Sequence, residues 1–203
     1  DIYYSGSLVE AKYMKEELGL ANAKYFMEGI DFDDFTPLTK EQKIVLRKEL
    51  NLPADKKIAI AVGNFRSTDY QYQHLIRVYG ELKKKRDDIL LVMIGGYKTE
   101  DLYQPRLDAR AVMLERMPKS DLKKYMQASD VFTAAVFDKS FINFGGFGSA
   151  MIEALACGMP VLSNNIIHFP GSREERDKLG MDMPGIEDLR RNLLHLLDHA
   201  DSY

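Results

Sequence analysis

The chain carries a single cysteine, Cys157, among its 203 residues. One thiol builds neither a disulfide framework nor a thiolate cluster for zinc. No metal site is expected, and a reducing cytoplasm is the expected setting. Long apolar runs are missing as well. IAIAV at 58–62 and ILLVMIGG at 89–96 are far too short to cross a bilayer. No leader-like segment is read at the start. A net charge of -3 provides no basic surplus for nucleic acid, which is not expected as a partner. The one basic run, KKKR at 83–86, reads as the last turn of a helix, where cations favour the macrodipole. Repeats and low-complexity tracts are absent too. What remains, 45% hydrophobic, suffices for the core of one large domain.

Strand-like and helix-like segments alternate along that chain. IYYSG at 2–6 and AKYFMEG at 23–29 read as strands around the helix LVEAKYMKEEL, capped by Ser7 and ended by Gly19. A helix follows at 40–50, closed by NLPADK. Continuous apolar runs mark strands buried on both faces, and they predict strands at 57–62, 89–94, 112–115, 130–134 and 160–163. Between them fall helices at 71–86, near 100–110, after Ser120 as cap, and at GSAMIEALAC, which ends at Gly158. The last strong helix covers 187–200. Strands alternating with helices, without hairpin signals, predict βαβ units. The fold class is therefore α/β, a doubly wound and mainly parallel sheet of about six strands.

Open parallel sheets bind ligands beyond the carboxyl ends of their strands. Gly63 and the Gly95–Gly96 pair mark two such ends. The richest candidate is INFGGFGSAMIEALACGMPV at 142–161. Gly145, Gly146 and Gly148 sit where a loop enters a helix, either as a tight turn or to let a phosphate approach backbone N–H groups. From Ala150 to Cys157 every residue is apolar or small except Glu153, so the helix is expected to be buried nearly all round. Ser149 shares the face of Glu153, four residues away. A buried carboxylate is costly unless paired. Glu153 is thus expected to meet water, a partner, or a ligand with adjacent hydroxyls such as a ribose. His74, His168, His195, His199, Tyr70, Tyr72, Tyr79 and Cys157 are read as packing or surface residues, His168 lying near the same loop.

At these residues the chain resembles the family-four glycosyltransferases, retaining enzymes of the GT-B architecture. GGFGSAMIEALACGMPV is similar to their Glu-Gly-Phe-Gly loop followed by a helix reading Leu-Glu-Ala-Met-Ala-Cys-Gly-x-Pro-Val. MEGIDFDDFTPL at 27–38 resembles their interdomain segment, and KKIAIAVGNF their first C-domain strand and glycine turn. LLVMIGG, VMLERMPKSDLKKYMQASDVF and GIEDLRRNLLHLL follow in the family's order. The resemblance implies residues 1–38 as an interdomain or crossover segment and 39–203 as a Rossmann-like domain binding a nucleotide-sugar donor. It implies Glu153 as the ribose acceptor, Gly146, Phe147, Gly148 and Ser149 at the donor sugar and phosphates, Arg116 and Met117 beside the base, and Gly63 facing the diphosphate. It implies no cofactor beyond that donor substrate. It also implies an acceptor-binding N-terminal domain of the same protein as partner, and peripheral membrane association through the acceptor.

Two departures stand out. The family brackets its loop with two glutamates, and the first is Gly145 here. An arginine and a lysine usually follow the first glycine turn, where this chain has Asn64 and the Asp69–Tyr70 neighbourhood. Arg66 is expected to supply a phosphate contact from a shifted position, and Asp69 to repel one. The leading expectation is sugar transfer from a nucleotide-diphosphate sugar to an acceptor. A degenerate, non-catalytic nucleotide-sugar-binding or scaffolding module is the alternative, and a nucleotide-sugar epimerase a third reading less suited by LACGMPV.

Overall fold

Side-chain alternation assigns the two faces of the central sheet. In β3 (Lys57–Asn64), Ile58, Ile60 and Val62 join one hydrophobic layer, and the smaller Ala59 and Ala61 join the other. β4 (Ile89–Gly96) repeats the pattern with Leu90, Val92 and Ile94 against Ile89, Leu91 and Met93. Such period-two burial on both faces requires helices on each side. The computed structural model describes residues 1–26, 29–64, 72–96, 111–134 and 148–203.

With β5 (Ala111–Glu115), β6 (Val131–Ala134), β7 (Val161–Ser163) and β8 (Gly180–Met181), these strands form a six-stranded sheet in the order β5-β4-β3-β6-β7-β8. Every pairing is parallel. The doubly wound sheet expected from the sequence is thus present. On the face of Ile58 and Val92 lie α2 (Lys40–Glu49), α4 (Lys119–Ala128) and α5 (Ser149–Ala156), contributing Leu46, Met126 and Ala154. The opposite face is covered by α3 (Tyr72–Lys83) and α7 (Ile186–His199), through Leu75, Val78, Leu193 and Leu196. Burying each such aliphatic side chain contributes about 1.5–3 kcal/mol. A one-turn helix, α6 (Arg173–Asp177), leads into β8.

Residues 1–38 divide in two. β1 (Tyr3–Ser5), α1 (Leu8–Glu16) and β2 (Ala23–Tyr25) make a parallel two-stranded sheet of their own. Ser7 caps α1 as expected, its side chain accepting from the Glu10 amide at 3.3 Å. The following strap, 29–38, packs across α4 and α5. Phe35 is buried there, and the Gln127 side chain donates to the Thr36 carbonyl at 2.9 Å.

Three local expectations need correction. α4 begins at Lys119, not after Ser120. Pro118 is its N-cap, and the Pro118 carbonyl accepts the Leu122 amide at 3.0 Å. A proline is preset for that place, with φ of -57° and an extended ψ. α3 stops at Lys83, so the rest of the KKKR run lies beyond the helix. Arg86 leaves it to pair with Asp88 at 2.6 Å and with Asp198 at 2.9 Å. β2 ends at Tyr25, whereas AKYFMEG reads as one strand; within it Met27 and Glu28 lie outside the described residues. The helix expected near 100–110 lies outside the described residues.

At the amino ends of the strands, the buried Arg47 donates to the carbonyls of Ala128 (2.8 Å) and Lys56 (2.9 Å) and to Asp130 (2.7 Å). Asp130 in turn accepts the Ile58 amide at 2.7 Å. This charge-assisted brace ties α2 to β3 and to the start of β6 at the amino ends of the strands.

Candidate functional site

The sheet has its switch point between β3 and β6. β3 pairs with β4 along its whole length, up to Asn64 opposite Gly96. With β6 it pairs only at Ala59–Val131 and Ile60–Phe132. Among the described residues the two strands pair no further, and the chain order reverses there, with β4 and β5 on one side and β7 and β8 on the other. That is the switch-point crevice where doubly wound sheets bind ligands. Thr133, just beyond the last pair, buries its hydroxyl without a hydrogen-bond partner among the described residues.

Two helices begin at this edge, and the first residue of α4 reaches the second turn of α5. α5 is capped by Gly148, which is extended and makes no side-chain cap hydrogen bond. The first-turn amides of such a helix point off its end, carrying the positive pole of the macrodipole. α5 ends in a Schellman motif. The Gly158 amide donates to Leu155 at 2.9 Å and the Met159 amide to Ala154 at 3.1 Å. Gly158 has a φ of +74°, where a side chain is strained, and Pro37 of the strap packs against it. The helix is therefore fixed at its far end and pressed along its length into the core.

Glu153 is only 7% exposed on that helix. Its Oε1 lies 2.9 Å from Nζ of Lys119, the first residue of α4, whose side chain is 63% exposed. Lys119 Nζ also stands 5.2 Å from the centroid of the Phe35 ring, a cation–π contact. The hydrogen bond and charge of Glu153 raise the Lys119 pKa above its ordinary value, with Asp34 and Asp31 adding to the pull. Asp34 pairs with Lys123 one turn further along α4. A buried acid, an exposed lysine and an aromatic floor thus form one cluster from three separated parts of the chain. The sequence leaves water, a partner or a hydroxyl-bearing ligand open for Glu153 and does not point to Lys119. A lone lysine in MPKSDL carries no linear signal linking it to position 153.

The other expected site residues distribute as follows. Ser149 is exposed on the first turn of α5, beside Gly148. Met117 packs against the core between β5 and α4, while Arg116 is exposed. Gly63 lies at the end of β3, but its lack of a side chain has a packing cause. A Cβ there would fall 2.5 Å from the Tyr72 hydroxyl, which donates to the Val62 carbonyl at 3.3 Å. Asn64 is paired in β3 through its backbone. Arg66, Gly146 and Phe147 lie outside the described residues, as do Asp69, Tyr70 and Gly145.

The remaining candidates are buried or turn elsewhere. Tyr72 and Tyr79 are core residues of α3, and His168 is buried in the 3-10 turn Asn164–His168. Cys157 is buried at the end of α5. Its thiol is pushed up to about 12, by burial first and then by the nearby Glu153 charge, so it is no nucleophile. Among the described residues, no helix is long and apolar enough to cross a membrane.

A parallel sheet with helices on both faces and a crevice at its switch point defines a Rossmann-like α/β domain. The chain belongs to the family of glycosyl transferases group 1, whose match covers residues 42–181. It is 24% identical over 179 residues to a GDP-mannose-dependent monoacylated alpha-(1-6)-phosphatidylinositol monomannoside mannosyltransferase of Corynebacterium glutamicum, covering 86% of this chain and 47% of that protein. Its fold is similar to that of a sucrose-phosphate synthase from Thermosynechococcus elongatus, with a TM-score of 0.74 and 22% identity, over 98% of this chain and 49% of that one. HepE from Anabaena, solved in complex with UDP-glucose, superposes with a TM-score of 0.73 at 15% identity, over 99% of this chain and 58% of HepE. The structural neighbours are GT-B glycosyltransferases. The chain spans about half the length of these proteins.

Proposed function

We propose that this domain is the donor-binding half of a retaining glycosyltransferase and holds a nucleotide-diphosphate sugar at the β3–β6 crevice. The observation that carries the reading is Glu153. It is a buried carboxylate near the start of an otherwise apolar helix, at the switch-point edge, countered by a lysine exposed enough to move. Ribose offers two adjacent hydroxyl donors to such a group. The first-turn amides at Gly148 and Ser149 suit a diphosphate, and they would stabilise the charge that collects on it as the sugar leaves. We assign Gly146, Phe147 and Arg66, which lie outside the described residues, to the phosphates and sugar, Arg116 and Met117 to the base, and Gly63 and Asn64 to the diphosphate. The UDP-glucose complex of HepE and the GDP-mannose dependence of the corynebacterial relative support a nucleotide-sugar donor without choosing its base.

The acceptor belongs to an N-terminal domain of the same protein, with residues 39–203 as the donor domain and 1–38 as the connection to it. A lipid acceptor would bring a cytoplasmic enzyme to a membrane surface. Orientation by the second domain accounts for roughly 7–11 kcal/mol of such a barrier, so this chain alone binds donor without transferring sugar. Gly145 and Asn64, where the resembled family has glutamate and arginine, favour a second reading, a non-catalytic nucleotide-sugar-binding module.

Calorimetric titration of UDP-, GDP-, ADP- and dTDP-sugars tests the proposal. One of them binds, and Glu153→Ala weakens it about ten- to hundredfold, the equivalent of roughly 1.5–3 kcal/mol. Unchanged affinity in that variant removes Glu153 from the site. Restoring the complete two-domain protein and following nucleotide release separates the enzyme from the binding module.

A further inference from the structure

Residues 1–26 form a folded unit without a core of its own. The residues buried in it are Ser5, Ser7, Ala11 and Ala23, none of them large. Ile2, Tyr4, Leu8, Val9, Leu18 and Phe26 are exposed instead. Side-chain alternation assigns the open surface. β1 and β2 pair in parallel, Tyr3 opposite Ala23, Tyr4 opposite Lys24 and Ser5 opposite Tyr25. α1 covers the face of Ser5 and Ala23, where the Ser5 hydroxyl donates to the Glu10 carboxylate at 2.5 Å. Ile2, Tyr4 and Phe26 fall on the other face. There Tyr4 is 60% exposed and Phe26 59%, and their rings meet edge to face with centroids 6.1 Å apart. Among the described residues, no third strand joins this sheet at either edge. Parallel sheets are normally covered on both faces, and two strands alone are marginal in water. An open strand edge is also a template for another strand.

We propose that residues 1–26 are one βαβ unit of a second parallel sheet, completed by the N-terminal half of the same protein. A strand of that half lies beside β1 or β2, and one of its helices covers Ile2, Tyr4 and Phe26. The proposal rests on the reading that the protein has a second domain, and it changes the role of this stretch. Residues 1–26 are then part of the second domain's core, and the strap at 29–38 alone is the connection. The lengths of the relatives favour this occupant. The sucrose-phosphate synthase superposes on 98% of this chain, which takes in most of the unit, yet the match covers only 49% of that protein. The other half is long enough to supply the missing strands and helix. A second copy of this chain has only three-residue strands to offer, and pairing through them would still leave open edges.

Hydrogen exchange on this chain and on the complete two-domain protein tests the proposal. Amides of β1 and β2 should exchange fast in the chain and at least ~100-fold more slowly in the complete protein. Tyr4→Lys and Phe26→Lys provide a second readout. Both positions are exposed here, so the variants should leave the Tm of this chain unchanged. In the complete protein each presses a charge into a covered face and should lower Tm by about 5 °C or more. Equal exchange in the two proteins, or equal Tm in variant and wild-type complete protein, would overturn the proposal. So would sedimentation of this chain as a dimer whose β1 and β2 amides are already protected, since a second copy would then be the occupant. Exchange at these strands is read without nucleotide, so its outcome is separate from that of the donor titration.

Discussion

Lys119 Nζ and Glu153 Oε1, 34 positions apart in the chain, lie 2.9 Å from each other where α4 begins. The two partners are unequal: the acid is buried and the lysine is mostly in water. Removing the lysine thus leaves a desolvated charge with nothing opposite, whereas removing the acid frees a lysine that water can serve.

Lys119→Met should therefore lower unfolding free energy in urea by about 1 kcal/mol, less than a fully buried pair because Lys119 is exposed. Adding Glu153→Gln should restore most of the loss, since the charge left behind has gone. Equal and additive losses in the double-mutant cycle would mean that the two groups do not interact.

Gly63→Ala should destabilise by about 1–3 kcal/mol, because its Cβ would meet the Tyr72 hydroxyl at 2.5 Å. With Tyr72→Phe the nearest ring carbon is 3.4 Å away, so the double variant should recover much of the stability. Nucleotide titration of that rescued protein then asks a separate question. If the diphosphate also needs the backbone to come close at Gly63, affinity stays low after stability returns.

Acid should unfold the domain through its depressed carboxylates. Hydrogen bonding from Arg86 brings Asp88 down to about 2 from an ordinary 3.8, and Lys57 and Arg86 lower Asp198 as well. A lowered folded-state pKa contributes stability that is complete above the unfolded value and is lost as pH falls through the folded one. For Asp88 the window runs from 3.8 down to about 2. Ellipticity followed through that window should decline, and Asp88→Asn should decline less steeply. An identical acid profile in the variant would show that the Arg86–Asp88 pair does not contribute.

The long buried strands were legible because their signal is local. IAIAV and LLVMI each span most of a strand, and both faces of the sheet bury them. β8 was not legible, since Gly180–Met181 is two residues long and is defined only by its pairing with Val161 and Leu162. α6 did leave a local trace, the Ser172–Glu175 capping box in SREE, which the long-range pattern overshadowed. At the site, Glu153 stood out as the single charge on an apolar helix. Lys119 and Phe35 did not, because only tertiary packing brings the start of α4 and the strap to α5.

The brevity of the β3–β6 ladder has a mechanical meaning. Two backbone pairs join the flank built on β3, β4 and β5 to the flank built on β6, β7 and β8. Behind that seam, α7 touches β3, β6, β7 and β8 and so acts as a splint across both flanks. On the other side, α4 and α5 meet through Lys119 and Glu153 and through the buried core they share with Phe35 of the strap. The narrow backbone seam is thus backed on both faces, by a single helix behind it and by a strapped pair of helices in front.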